Sequence, residues 1–394
     1  MHCFNTFVNK KEGFSMEKNR NLIIKNGNVI DPDVSEPYVE KKDIAIQNGK
    51  FVSIDEIDPS AAKIIHAGGH YVSPGFIDLH VHVFNQHAKV SIDADRVGIS
   101  QGVTTIVDAG SSGYDVFDSF RKNVIETHKT EVLAFLNVSR KGLTESLSEL
   151  ADPSDLMTVE EAKEIFSKEK SLVGLKARMS RSVVKGQDVK PLLHARQLAD
   201  QLNVPIMVHI GNPPPYLPDI FPLLRKGDIV THAFHGKEHG ILKKDHTLIP
   251  EAVDALNRGV LFDIGHGSDS FNFNTMKYFK EKYSYSFTSS TDIYDKNIQK
   301  PVGSLMTTMS KLLELGFSLP FVIESVTSRS RKALHLTEQG SFQNGTRADV
   351  TIFDVHERPT LLIDSNGNKK ICHKMIDPIM TIREGEVVQK NEKG

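Results

Sequence analysis

The sequence predicts an α/β chain: a (β/α)8 barrel of the TIM type with a small β-sandwich assembled from both termini. Three observations carry this expectation. The middle of the chain alternates short apolar strands with amphipathic helices. Both ends instead show short strands punctuated by turn residues. Histidines, a lysine and an aspartate fall at the C-terminal ends of the middle strands, the face where such a barrel gathers its chemistry.

At the N-terminal end, strands are expected at 22–25, 28–30, 42–47, 51–57 and 63–66, with Asn26-Gly27 and Asn48-Gly49 as hairpin signals. The C-terminal end repeats the texture at 348–354 and 369–371, with a last hairpin over 380–388 around Glu384-Gly385. The expected division is 16–73 and 341–394 for the sandwich and 74–340 for the barrel. Residues 1–15 stand apart: they are polar, lack a secretory apolar core, and precede the patterned sequence that begins after Met16. Two readings of them stand, a disordered leader or a mis-assigned start.

Barrel strands are expected at 75–82, 103–108, 131–138, 172–178, 204–210, 228–233, 260–265 and 286–292. Helices are expected between them at 115–127, 159–168, 191–201, 251–258 and 274–282. A doubly wound open sheet competes, but no G-x-G-x-x-G follows a first strand. The 394 residues hold one large domain and a smaller one. A net charge of −2 gives no reason to expect nucleic acid or an acidic membrane as partner. No apolar run reaches the roughly 20 residues that cross a bilayer. Cys3 and Cys372 suggest no disulfide framework, so a cytoplasmic location is the default, with a small molecule as substrate and homo-oligomerisation left open.

The most informative stretch is Pro74-Gly75-Phe76-Ile77-Asp78-Leu79-His80-Val81-His82. In a strand, residues two apart point to one side, so both imidazoles project together from one strand end. Two residues supply only half of a metal site. Later strand ends add Lys176, His209, His232 and Asp292. Each alone has a plainer explanation: a strand-end histidine is commonly structural, Asp292 could cap a helix, and Lys176 could serve an ion pair. Their joint occurrence at successive strand ends is what points to a metal centre. Around them, Arg178 lies two residues beyond Lys176 and could grip a carboxylate with its planar fork or form an ion pair. His266 follows the seventh strand, His235 and Asn212 sit on mouth loops, and Tyr216 follows the stiff Pro213-Pro214-Pro215. These five are candidate substrate contacts. Asp78 and Asp108 are expected to organise the mouth by hydrogen bonds, and Phe84, Phe234 and Phe271 to pack in the core or line the pocket.

These residues resemble the amidohydrolase superfamily, in the branch with a binuclear centre bridged by a carboxylated lysine. The likeness spans the chain after Met16 and includes the exit sequence Gly345-Thr346-Arg347-Ala348-Asp349-Val350. It is nearest to the dihydroorotase-like amidohydrolases or deacetylases, described as acting on acetyl esters of chiral 2-hydroxy acids. The resemblance implies His80, His82 and Asp292 on a buried zinc ion, and His209 and His232 on a more exposed one. It also implies carbon dioxide bound as a carbamate on Lys176, bridging the two ions. By the same resemblance a hydroxide shared by both ions attacks the scissile carbonyl, and Asp292 moves its proton to the leaving group. No serine or cysteine nucleophile is required, and no G-x-S-x-G is present.

Departures from the family pattern narrow the reaction. Cyclic amidases usually follow the H-x-H with a substrate arginine, whereas Val83-Phe84-Asn85 follows here. Neither cysteine is placed for the bridging thiolate of D-aminoacylases. N-acetylglucosamine-6-phosphate deacetylases and adenine deaminases have a glutamate where Lys176 stands. The expected reaction is hydrolysis of an ester or amide, an acyl or acetyl group on a small carboxylate-bearing compound. A dihydroorotase-type cyclic amidase or deaminase is the alternative, and a catalytically silent barrel used for assembly is the third reading.

Overall fold

The computed structural model describes residues 20–34 and 39–391. The readings made for residues 1–15, Met16 and Cys3 lie outside these residues.

Seven strands of the middle region form one parallel sheet in which chain neighbours are also sheet neighbours. They are Phe76–Val81, Val103–Ala109, Glu131–Asn137, Leu172–Met179, Ile206–Ile210, Ile229–Thr231 and Leu261–Phe262. Parallel strands need crossovers, and helices such as Val159–Lys168, Lys190–Leu202, Pro250–Arg258 and Phe273–Lys282 supply them. Thr158 and Glu161 close a reciprocal capping box at the start of the first of these. The expected eighth strand, 286–292, is not a regular strand. Its segment makes two isolated parallel bridges instead, Thr288 to Asp263 and Ile293 to Val81, and so touches both edges of the seven-stranded sheet. The polar run Thr288-Ser289-Ser290-Thr291 explains the irregularity, because these side chains bond to groups around them: Thr288 and Ser290 to Asp263, Thr291 to Asp78 on the first parallel strand, and Ser289 to Ser325 at the end of the helix Leu319–Ser325.

The two ends of the chain build a second sheet of eight strands. Its order runs Glu386–Lys390, Lys369–Arg383, Val350–Ile363, Tyr71–Pro74, Leu22–Ile30, Val39–Gln47 and Lys50–Val52, with Lys63–His66 paired to Leu22–Ile30. Leu22, Ile24, Val72, Ala348, Val350 and Ile382 share its core. Two local expectations change and one holds. Asn26-Gly27 is not a hairpin turn: Leu22–Ile30 is one strand, and Asn26, at φ 60°, sits in a bulge that shifts the register against Val39–Gln47. Asn48-Gly49 does turn a hairpin, with φ 52° and 78°. The expected helix 115–127 is α-helical only over Phe117–Phe120, then widens to a π-helix over Arg121–Ile125.

The two sheets meet at Gly75, whose N–H donates to Asp349 O at 2.8 Å. Arg347 locks the junction, pairing with Asp349 and with Glu131 on the third parallel strand. Among the described residues no helix is long and apolar enough to cross a membrane.

Candidate active site

The C-terminal ends of the parallel strands bring together His80, His82, Lys176, His209 and His232, with Asp292 between the two edge strands. Asp292 Oδ1 lies 3.3 Å from His80 Nε2 and 3.2 Å from His82 Nε2, and Oδ2 lies 4.0 Å from His232 Nε2. Lys176 Nζ stands 3.3 Å from His80 Nε2. The His209 ring meets the His232 ring edge-on, with centroids 4.4 Å apart.

Each imidazole of the inner group is fixed from behind. His232 Nδ1 donates to Gly265 O at 2.6 Å. His80 Nδ1 bonds Thr231 Oγ1 at 2.8 Å, and the Thr231 hydroxyl donates to Asp263. His82 Nδ1 meets Ser111 Oγ at 2.9 Å, and Ser111 N–H in turn donates to Asp108. With Nδ1 engaged, the Nε2 lone pairs of His80 and His232 face inward, the tautomer a metal ligand needs. His232 Nε2 is buried without a hydrogen-bond partner among the described residues. A buried polar atom left this way is costly unless a further group satisfies it.

The backbone is bent to the same end. His232 and Asp292 both lie in the left-handed region, at φ 67° and 48°. Glycines flank them tightly: a Cβ on Gly265 would come within 2.2 Å of Thr231 Oγ1, and one on Gly267 within 2.5 Å of Asp292 Oδ2.

Burial sets the protonation states. It drives the Lys176 ammonium down to about 7, with Arg178 adding to the depression and Asp292 opposing it. It lowers His232 to about 3 and holds His80 and His209 well below the ordinary imidazole range. Burial pulls Asp292 up, but its bond to His82 and the nearby His232 and Lys176 outweigh this and keep it lowered. Around neutral pH the group therefore offers the neutral imidazoles of His80, His209 and His232, one carboxylate and a partly neutral amine. That donor set fits a divalent metal with N and O preference, and His80, His82 and Asp292 have ligand atoms within 4.8 Å of one another.

Comparison with known proteins agrees with this chemistry. Residues 342–388 match the deacetylase-like composite domain family. A deacetylase of Enterococcus faecalis is 39% identical over 370 residues, covering 93% of this chain and 98% of its own. The chain belongs to the amidohydrolase superfamily, among its deacetylases. Two solved members of similar fold carry other names. The crystal structure of an adenine deaminase is 38% identical with a TM-score of 0.87, covering 94% of this chain and all of that one. That of a dihydroorotase is 30% identical with a TM-score of 0.85, covering 94% and 98%. Being a superfamily member, the chain is a hydrolase directed at acyl or amide groups.

In this deacetylase relative, a cavity of about 190 Å³ opens over the cluster. It is lined by His82, His209 and Asp292, with Arg178, Lys237, Val90, Leu143, Leu147, Ser268, Asp269, Ser270 and Tyr294. Of the five expected substrate contacts, only Arg178 lines it, and Arg178 is paired with Glu149 at 3.0 Å. Asn212 and Tyr216 line a neighbouring cavity of about 520 Å³ with Arg181, Ser182, Pro213, Glu238 and His239. His266 turns away into the interior, where Lys311 Nζ meets its Nε2 at 2.7 Å. His235 is buried, and its Nδ1 accepts from the Lys237 N–H at 3.1 Å. Asp78 and Asp108 hold backbone and hydroxyl groups around the mouth, as with Thr291 and Val83. Phe84, Phe234 and Phe271 are core residues.

The sequence reading did not single out Lys237, Tyr294 or the apolar pair Leu143 and Leu147, nor the supports Thr231, Ser111 and Asp263. Asp263 could have been noticed as a carboxylate at the end of the seventh strand beside Gly265-His266-Gly267.

Proposed function

We propose that the chain is a metal-dependent hydrolase that cleaves an acyl group, acetyl in particular, from an ester or amide of a small carboxylate-bearing compound. The observation that carries this reading is the convergence of three Nε2 atoms on the Asp292 carboxylate, with Lys176 buried beside them. We read the architecture as a closed eight-strand barrel with the segment ending at Asp292 as its irregular eighth strand; the seven-stranded parallel sheet and the bridges of that segment to both its edges support this. His80, His82 and Asp292 would hold one zinc ion and His209 and His232 a second, with Lys176, carbamylated by carbon dioxide, as the shared ligand. Two zinc ions bound there would polarise the scissile carbonyl and draw the pKa of water toward neutrality.

The chain's own groups do the rest. Lys176, near half-neutral around pH 7, presents the amine form that condenses with carbon dioxide. Asp292 is ionised at that pH, and its largely buried side chain lines the cavity. It accepts the proton of the attacking water and returns it to the leaving alkoxide or amine. Val90, Leu143 and Leu147 limit water on the substrate side.

A cyclic amidase or deaminase is the second reading, motivated by the names of the two solved relatives. Val83-Phe84 after the H-x-H, where cyclic amidases usually place an arginine, weighs against a cyclic amidase. One experiment separates these readings. Protein supplemented with zinc and bicarbonate is assayed for metal, then offered N-acyl amino acids, acetyl esters of 2-hydroxy acids, dihydroorotate and adenine, with both enantiomers of each chiral compound. About two zinc ions per chain with acyl hydrolysis are expected. Less than about one ion per chain, or turnover of the cyclic compounds alone, would overturn the proposal.

A further inference from the structure

Two cationic side chains look into the cavity over the metal-competent cluster, Arg178 and Lys237. They differ in what already holds them. Arg178 Nη1 lies 3.2 and 3.0 Å from the two oxygens of Glu149, a carboxylate only 2% exposed. A carboxylate buried that deeply depends on its cation, so the Arg178 charge is neutralised within the fold. Lys237 has no such partner among the described residues.

Lys237 is also well placed. It follows the strand Ile229–Thr231 in the long connection to the helix Pro250–Arg258, and its backbone N–H bonds the buried His235 ring, which fixes where the chain turns. It lines the same cavity as His209, and its charge acts on the rings of His209, His232 and His235. Two carboxylates share the cavity with it. Asp292 is engaged by His80 and His82. Asp269 is exposed at the rim toward Tyr294, whose phenol its charge acts on. Val90, Leu143 and Leu147 supply an apolar wall, and Leu147 is 42% exposed in a cavity that would cover it.

We propose that Lys237 is the residue that selects the substrate, gripping a carboxylate of the acyl ester or amide while an apolar side chain of the same compound packs on Leu143 and Leu147. This assigns to Lys237 the part the sequence suggested for Arg178. A charge-assisted bond from an ammonium whose charge is otherwise uncompensated favours the anionic over the uncharged form of one ligand. The assignment rests on the hydrolase reading for its chemistry, but its test does not require turnover.

The test uses the zinc-loaded full chain as wild type, Lys237→Gln and Lys237→Arg. Calorimetric titration compares 2-hydroxyisocaproate with its uncharged amide. Lys237→Gln is expected to weaken the carboxylate by roughly ten- to a hundredfold and leave the amide unchanged, with Lys237→Arg restoring most of the loss. In turnover, the same variant should raise KM for a carboxylate-bearing acetyl ester and leave its methyl ester unaffected. Equal binding of the carboxylate by wild type and Lys237→Gln overturns the proposal. So does an equal loss for both probes, or a wild type that binds neither. If wild type binds the carboxylate through Lys237 yet cleaves no acyl compound, the hydrolase reading fails and the assignment of Lys237 stands.

Discussion

His80 and Thr231 share a hydrogen bond of 2.8 Å, and Thr231 cannot be the donor in it, because its proton goes to Asp263 at 2.8 Å. The ring nitrogen toward Thr231 must therefore carry hydrogen, which leaves the opposite nitrogen free to face Lys176 and Asp292. Thr231→Val keeps the shape and removes the relay. We expect zinc affinity to fall by about 10- to 100-fold, as found when such supporting bonds are cut. Competition with a chelator measures it; unchanged affinity would mean that packing alone holds the ring.

Asp292 touches two imidazoles and faces the cavity, so it combines holding and proton transfer. Asp292→Asn retains an oxygen donor and the volume but cannot accept the proton. Turnover is expected to drop by about 10²- to 10⁴-fold with metal still bound. Metal content and kcat measured on one preparation check this. Wild-type turnover in the variant would remove Asp292 from proton transfer.

Lys176 has its ammonium end against His80 Nε2 and the sulfur of Met207, with no carboxylate among the described residues bonded to it. Such a site suits a neutral amine, and a carbamate once ions are near. Stripping metal and carbon dioxide should abolish activity, and zinc with bicarbonate together should restore more than either alone. With ¹³C-bicarbonate, a carbamate carbon resonance is expected in wild type and absent in Lys176→Ala. A resonance that survives in Lys176→Ala would assign it elsewhere.

What the sequence made legible follows from how far each signal reaches. Strand ends were readable because His80 and His82 obey a period of two, and Lys176, His209 and His232 each close an apolar run. Asn26-Gly27 misled because a turn dipeptide is a local signal, while the bulge at that point is set by pairing with Val39–Gln47. The pattern over 286–292 predicts a regular strand, but its hydroxyls bond to Asp78, Asp263 and Ser325, contacts far away in the chain. Lys237 sits on a loop without periodicity, and only the pairing of Arg178 with Glu149 singles it out. His266 was drawn toward substrate by its neighbours in sequence, yet Lys311, 45 residues on, holds it inside.

That second buried lysine gives a pH-dependent prediction. Lys311 Nζ lies 2.7 Å from His266 Nε2 and 2.7 Å from Pro301 O, and burial pushes its ammonium from the ordinary 10.5 down to about 7. Between those values the unfolded chain binds the extra proton, so this group makes unfolding harder as pH rises from 7 toward 10.5. Its full burden is present below about pH 7. Lys311→Met removes that slope, although it also leaves the His266 ring and Pro301 O without their donor. The expected result is that wild type gains on the variant by a few kcal/mol between pH 7 and 10. Cys372, pushed up to about 11 by burial, adds an opposite slope above about pH 9, but it does so in both proteins. Urea unfolding of the two at matched zinc, at pH 7, 8.5 and 10, reads the difference. Parallel stability curves would show that Lys311 keeps its proton inside the fold and that its bonds to His266 and Pro301 outweigh burial.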